Sequence, residues 1–441
     1  MKNNLILKTF SLSMVALLAS CSNAVKAEAT LLRSPKGKDH SYQHSEIFEA
    51  EYVAFKEKLQ SFASSFSETF ASYQYKEGNN ITCSPLSIEL CLGLAVRISN
   101  GQTRQEILDV FGVDYETFNE YYKLYYNNLT LEAINQNNQL MAEILLTNSI
   151  WLNNSLSYVE SGLDALRDDY YCYSYQVDFV NKNKESCKAI QEFINEQTKG
   201  LINPDIQLSK DTLFVLMNTL YLKDIWNEMG NDLSYTNKYH FTNSNGQVSS
   251  KQLLHGYYTS GKALQAEDYS AFHTNTRYMS IHFIKPNDGK DIRQVFNKTN
   301  IDYVLDRNNY TYRDDEKREE YYTSCVFPEF KANSDSDILD ILYNQYNIKS
   351  LFNPDKCDCS GITTDKAYCN EVRHIATLEV NKKGIEGAAV TYMVYPGAGA
   401  GSELDPYQKV YEIFPVDKEF GFILTYSNTI VFSGIVTNID K

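Results

Sequence analysis

Apolar residues first recur at helical spacing near the N-terminal end of the folded chain. Phe55, Leu59, Phe62, Phe66 and Phe70 fall on one face, which predicts an amphipathic helix over residues 54–73. Within NITCSPLSI (80–88), Ser84 has the character of a helix N-cap and Pro85 suits the first helical position. The helix that follows, through Ala95, is apolar nearly all round and is predicted to be buried. After the turn at Asn100-Gly101, Thr103 and Glu106 have the spacing of a capping box. Residues 143–152 (EILLTNSIWL) read as a strand. Residues 185–198 read as a helix, with Ile190, Phe193 and Ile194 on one face and Gly200 past its end. The run DTLFVLMNTLYLK (211–223) is continuously apolar over 213–217, the mark of a central strand covered on both faces. From His240 onward short strands and turns dominate. Residues 326–331 form a strand closed by Pro328, residues 337–346 a helix, and residues 373–381, 420–424 and 429–436 further strands. Helices crowd the first half and strands the second, with no linker between. The halves must share sheets in one α+β domain.

Residues 379–404, EVNKKGIEGAAVTYMVYPGAGAGSEL, change character half-way. On a strand, Ile385, Gly387, Ala389, Thr391 and Met393 share one side, and Glu386, Ala388, Val390 and Tyr392 the other. The first series is small or apolar; the second carries the only charge. From Pro396 to Gly401 proline, glycine and alanine exclude a regular element. The pattern predicts a strand that becomes an exposed loop.

Composition narrows the partners. The formal net charge of -15 argues against a nucleic-acid partner, because phosphate binding needs a basic face. Adjacent tyrosines such as Tyr121/Tyr122, Tyr125/Tyr126 and Tyr321/Tyr322 could build a sugar-binding platform, but tyrosine on helix and strand surfaces is the plainer reading. Residues 1–20 have the form of an export signal: Lys2 and Lys8, then a short apolar stretch over 10–18. It ends in Leu18-Ala19-Ser20-Cys21, which resembles the lipobox of bacterial lipoproteins and predicts lipidation at Cys21. Residues 21–48 then form the lipidated N-terminus and its polar tether, and residues 49–441 the folded domain. The expected location is the cell envelope, on the outer membrane or cell surface, with the lipid as the sole membrane contact. Eight further cysteines permit disulfides without assigning them; Cys172/Cys187 and a pair among Cys357, Cys359 and Cys369 are possible bridges. The Cys357-x-Cys359 spacing, even with Cys369 and His374, is not that of a zinc knuckle, so no metal ligands are assigned. No cofactor is expected. No GxSxG, HExxH or CxxC motif supports a hydrolase.

Ten blocks resemble the serpin family in the family's own order. They are NITCSPLSIELCLGLA, NGQTRQEI, TNSIWL, INEQTKGLI, MNTLYLKDIW, VFPEFK, YNIKSLF, VRHIATLEVNKKGIEGAAVT, FPVDKEFGF and IVFSGIV, and they span residues 80–436. The resemblance implies three β-sheets, eight or nine helices and a reactive-centre loop over about 384–410. It also implies a mechanism. A serine or cysteine protease attacks the loop as a pseudo-substrate, and the cut loop inserts into the main sheet before the acyl-enzyme is hydrolysed. By the same resemblance Ser84, Ser87, Asn218 and His374 are the polar shutter beneath that sheet, the His bonded to the Asn. Trp226 marks where insertion begins, and Lys382, Gly384, Ile385, Gly387, Ala388, Ala389 and Val390 are the hinge. Spacing usual in the family puts the reactive bond at Ala398-Gly399, which suits an elastase-like target; Tyr395 would suit a chymotrypsin-like one.

The chain departs from the family pattern at Lys382, usually glutamate, at Ile385, usually threonine or serine, and at Glu419, usually proline. Bulk at Ile385 is expected to slow insertion. The sequence thus predicts a monomeric protease inhibitor rather than an enzyme, with a non-inhibitory binding or scaffold serpin as the alternative.

Overall fold

The computed structural model of the chain describes residues 29–35, 46–135, 139–226, 232–387 and 407–441. Among these residues it has nine α-helices and three sheets.

The first helix, α1 (Ala50–Gln74), buries Tyr52, Phe55, Leu59, Phe62, Phe66 and Phe70 along one stripe. It is followed by α2 (Pro85–Ile98), where the Ser84 side chain accepts the Ser87 N–H and Pro85 occupies the first turn. Its burial on nearly every side follows from its place between two sheets. Helices α3 (Gly101–Phe111), α4 (Tyr115–Asn128) and α5 (Glu160–Tyr170) pack around it, and Tyr122, Tyr125 and Tyr126 of α4 are buried. These tyrosines are core residues, not a sugar platform. The expected capping box at α3 does not form. Thr103 lies inside the helix, whose cap is Asn100, and Glu106 instead accepts the Lys349 and Ser350 N–H groups at 2.8 and 2.6 Å. Its carboxylate caps a short 3-10 turn from another part of the chain. Helix α6 (Asn183–Gln197) lies on the outer face of the main sheet, with Phe193 against Trp151 and Tyr175. Short helices α7 (Ile292–Val295), α8 (Lys298–Leu305) and α9 (Leu339–Asn344) complete the set.

The main sheet has eight strands. In order across it run β1 (Thr30–Arg33), β5 (Cys172–Val177), β4 (Leu140–Asn153), β6 (Phe214–Ile225), β16 (Gly384–Gly387), β15 (Arg373–Asn381) and β14 (Phe330–Asp337), with β3 (Leu131–Ile134) paired to β4. All pairs are antiparallel except β4 with β5. The second sheet is β2 (Ile81–Cys83), β19 (Thr429–Val436), β18 (Phe420–Tyr426), β11 (Ser280–Pro286), β10 (Tyr269–Asn275) and β9 (Leu264–Gln265). The third is β12 (Arg313–Asp314), β13 (Glu319–Phe327), β8 (Leu253–Ser260) and β7 (Ser234–Thr236), with β17 (Gln408–Pro415) parallel to β13. Pro328 does not close one strand. It marks where the chain leaves β13 in the third sheet and enters β14 in the main one.

All eight cysteines of the described residues are thiols. Cys172 and Cys187 are not joined, and the Sγ atoms of Cys357 and Cys359 lie 3.4 Å apart. Among the described residues no helix is long and apolar enough to cross a membrane. Cys21 and the reactive bond Ala398-Gly399 lie outside the described residues, as do Ala388, Ala389 and Val390.

Candidate functional site

The site is a parting in the main sheet. Strand β6 pairs with β4 along its whole length, and β15 pairs with β14 in the same way. Among the described residues their facing edges meet only through β16, which joins β6 at residues 222–225 and β15 at residues 379–381. Beyond β16 neither edge has a partner strand among the described residues. Between them runs a cleft of about 300 Å³, lined by Leu216, Asn218 and Leu220 on one side and His374 and Ala376 on the other. Strand β6 was expected to be covered on both faces, yet its first five residues are half-exposed. The parting beside it is the reason. Helix α2 supplies the floor through Ser84, Ser87 and Ile88, and α6 contributes Ile190 and Ile194 from the outer face. A strand edge with unmet N–H and C=O groups is a template for another strand. Here the template has two edges and one strand's width.

The polar residues predicted beneath the sheet converge on this cleft. Ser87 Oγ donates to Asn218 Oδ1 at 2.8 Å, and the Ser84 N–H donates to His374 Nε2 at 3.0 Å. His374 and Asn218 were expected to bond each other. With the sheet parted they stand on opposite edges, and each reaches the start of α2 instead. His374 is buried, and desolvation holds its imidazole down at about 4, so it is neutral and free to accept. The sequence reading missed Asn148. Asn218 Nδ2 donates to Asn148 Oδ1 at 2.9 Å, and Asn148 Nδ2 donates to Tyr122 Oη at 3.1 Å and to the Tyr170 carbonyl at 2.8 Å. An amide in the middle of a strand with apolar runs on either side, ILLTNSIWL, was its available signal.

At the other end of the cleft the chain turns from β15 to β16 through Lys382 and Lys383. Trp226 Nε1 donates to the Asn381 carbonyl at 2.7 Å, and the Leu233 N–H donates to the Lys382 carbonyl at 2.7 Å. The Lys382 N–H donates to Glu329 Oε1 at 2.8 Å, and its ammonium pairs with Asp232 at 3.0 Å. That Asp232 hydrogen bond raises the Lys382 pKa. A cation at this position therefore has a carboxylate to meet. Gly384 lies so close to the Asp224 carbonyl that a Cβ would fall 2.0 Å from it. Ile385 is 1 % exposed and sits between Asp224 of β6 and Val380 of β15. It already occupies the sheet, so its bulk is accommodated rather than waiting outside. On the outer face Tyr221 Oη donates to Glu386 Oε1 at 2.8 Å, which keeps the one charged residue of the series on the solvent side.

A family model described as Serpin (serine protease inhibitor) matches residues 57–439. The chain belongs to the serpin family. An uncharacterised serpin-like protein of Methanosarcina acetivorans is 26% identical over 335 residues, 71% of this chain and 72% of that one. Among solved structures, the highly specific Serpin48 of the insect Tenebrio molitor superposes with a TM-score of 0.69 at 21% identity, over 89% of this chain and 100% of its own. Human thyroxine-binding globulin, solved with its ligand, gives a TM-score of 0.69 at 18% identity over 88% and 100%. Serpins are in general protease inhibitors and not enzymes, and their three-sheet fold is the one described above. The globulin is a member named for a small molecule it binds.

Proposed function

We propose that this serpin inhibits a serine protease as a suicide pseudo-substrate, inserting its cleaved loop between β6 and β15. The observation that carries the reading is the register of β16. Its pairs run from Gly384 opposite Ile225 to Gly387 opposite Leu222. Continued along the same ladder, Ala389 meets Leu220 and Ala376, and Thr391 meets Asn218 and His374. The small residues then fall on the apolar floor, and the single hydroxyl falls between the two polar edges. Tyr395 meets Phe214, the last residue of β6, and Pro396, which cannot donate to a ladder, falls just past it.

This register also bears on the reactive bond. Cleavage at Ala398-Gly399 leaves a strand long enough to fill the cleft, with three residues over to carry the acylated end clear of the sheet. Cleavage after Tyr395 would leave the acyl group on the last paired residue, where a protease cannot be accommodated. The geometry supports Ala398-Gly399 and a target of elastase-like preference. The lipobox-like Leu18-Ala19-Ser20-Cys21 supports an exported, lipid-anchored protein at the cell envelope.

Incubation with elastase-like proteases should give an adduct that survives denaturing electrophoresis, and mass spectrometry of the released peptide should place its new N-terminus at Gly399. Clean cleavage without adduct across a broad protease panel would sink the inhibitory reading in favour of a binding serpin.

A further inference from the structure

Asp224 is a carboxylate in a place where an apolar side chain would fill the space. It stands near the end of β6, opposite Ile385, with 1 % of its surface exposed. Its carboxylate accepts Thr276 Oγ1–H at 2.5 Å, the Tyr278 N–H at 2.9 Å and the Ile225 N–H at 2.9 Å. Two of these donors come from the turn joining β10 to β11 in the second sheet. The same turn donates the Arg277 N–H to the Ile225 carbonyl at 2.9 Å. The end of β6 is thus fixed to another sheet at two consecutive residues. The Asp224 main-chain carbonyl is the wall against which Gly384 lies. Burial pushes the Asp224 carboxyl up to about 7, with the three donors opposing that rise. Such a group is costly to bury unless it is hydrogen-bonded, as this one is.

We propose that Asp224 is the positioning residue of the hinge. By tying the end of β6 to the β10–β11 turn, it keeps the adjoining slot open so that Gly384 and Ile385 enter it before any cleavage. This deepens the inhibitory reading, but its first test does not depend on it.

The chain has two tryptophans, and Trp226, 2 % exposed, donates to the hinge carbonyl of Asn381. In a Trp151→Phe background Trp226 alone reports the hinge. In uncleaved protein, Asp224→Asn should red-shift its emission and lower amide-exchange protection at Ile385 by about tenfold or more. With protease, the fraction trapped rather than cleaved should fall several-fold while the association rate holds. Ile301→Val, buried in α8, lowers stability at a distance and should move neither readout. Unchanged emission and protection in Asp224→Asn would overturn the proposal. If wild type traps no protease, the inhibitory reading fails, and the emission and exchange results still decide the role of Asp224. If Asp224→Asn does not fold, Thr276→Val removes one donor and leaves the carboxylate. It should shift both hinge readouts the same way by a smaller amount, and no shift would overturn the proposal.

Discussion

Glu89 lies inside the apolar helix α2 with 2 % of its surface exposed. Tyr125 Oη donates to its Oε2 at 2.6 Å, and its Oε1 has no hydrogen-bond partner. Burial pushes this carboxyl up to about 8. The sign follows from proton counting. Between its ordinary value of 4.5 and about 8 the folded state holds a proton that the unfolded chain has released. Stability from this group is present below about 4.5 and is lost as pH rises through 8. Glu89→Gln keeps the acceptor and removes the titration. It should melt with wild type at pH 5 and above it at pH 8.5, by on the order of 3 kcal/mol, or a few degrees. Coincident melting at both pH values would count against a buried proton at Glu89. Residue types such as Glu89 and Asp224 were visible in the sequence, but their burial was not. A carboxylate in an apolar helix reads as a solvated exception until the neighbouring sheet is in place.

At the scale of the element, the turn from β15 into β16 depends on a missing side chain. Gly384→Ala would place a methyl carbon 2.0 Å from a main-chain carbonyl that two sheets hold still. The hinge, not the wall, must give. The expected result is loss of the β16 pairing, seen as fast exchange of the Ile385 and Glu386 amides, with Tm lowered by an overpacking cost on the order of 1–3 kcal/mol. Retained protection would mean that β6 yields instead. Periodicity found α1, α2, α6, β4 and β15 because each buries a simple stripe or run. It misread the residues whose partners are remote in sequence. Glu106 has the spacing of a local cap, but it caps residues some 240 positions away. Pro328 looks like a terminator and is a crossing between sheets. The place of Ile385 inside the sheet was not readable locally, because the slot it occupies is set by β6 and β15, which no local pattern describes.

For the whole molecule, the main sheet is parted beyond β16 among the described residues. A strand set there as proposed would make about ten main-chain hydrogen bonds, each contributing about 1 kcal/mol net. Spread over the unfolding entropy of a domain this size, closure should raise Tm by roughly 10 °C. Cleavage of the loop by a non-target protease, followed by calorimetry, reads this directly. A cleaved form that melts with the intact one would favour the non-inhibitory reading. The order of the sequence blocks carried the fold, because order and spacing encode topology. The parting itself was not legible, since it depends on which edges remain unpaired after every strand has been assigned.

Strand β1 gives the molecule a direction. Thr30 lies level with Gln176, which lies level with Leu152 and then with Phe214, so the chain joins the sheet on the row where β6 begins. Arg33 holds it there through Asp164 at 2.9 Å and through Glu160. The hinge at Gly384 is on the row of Ile225, eleven steps away, or about 36 Å. The hinge thus lies at the opposite end of the sheet from the row on which the first described strand joins it. On the insertion proposed above, the loop would end on the Phe214 row, three strands from β1, and would carry a captured protease the length of the sheet.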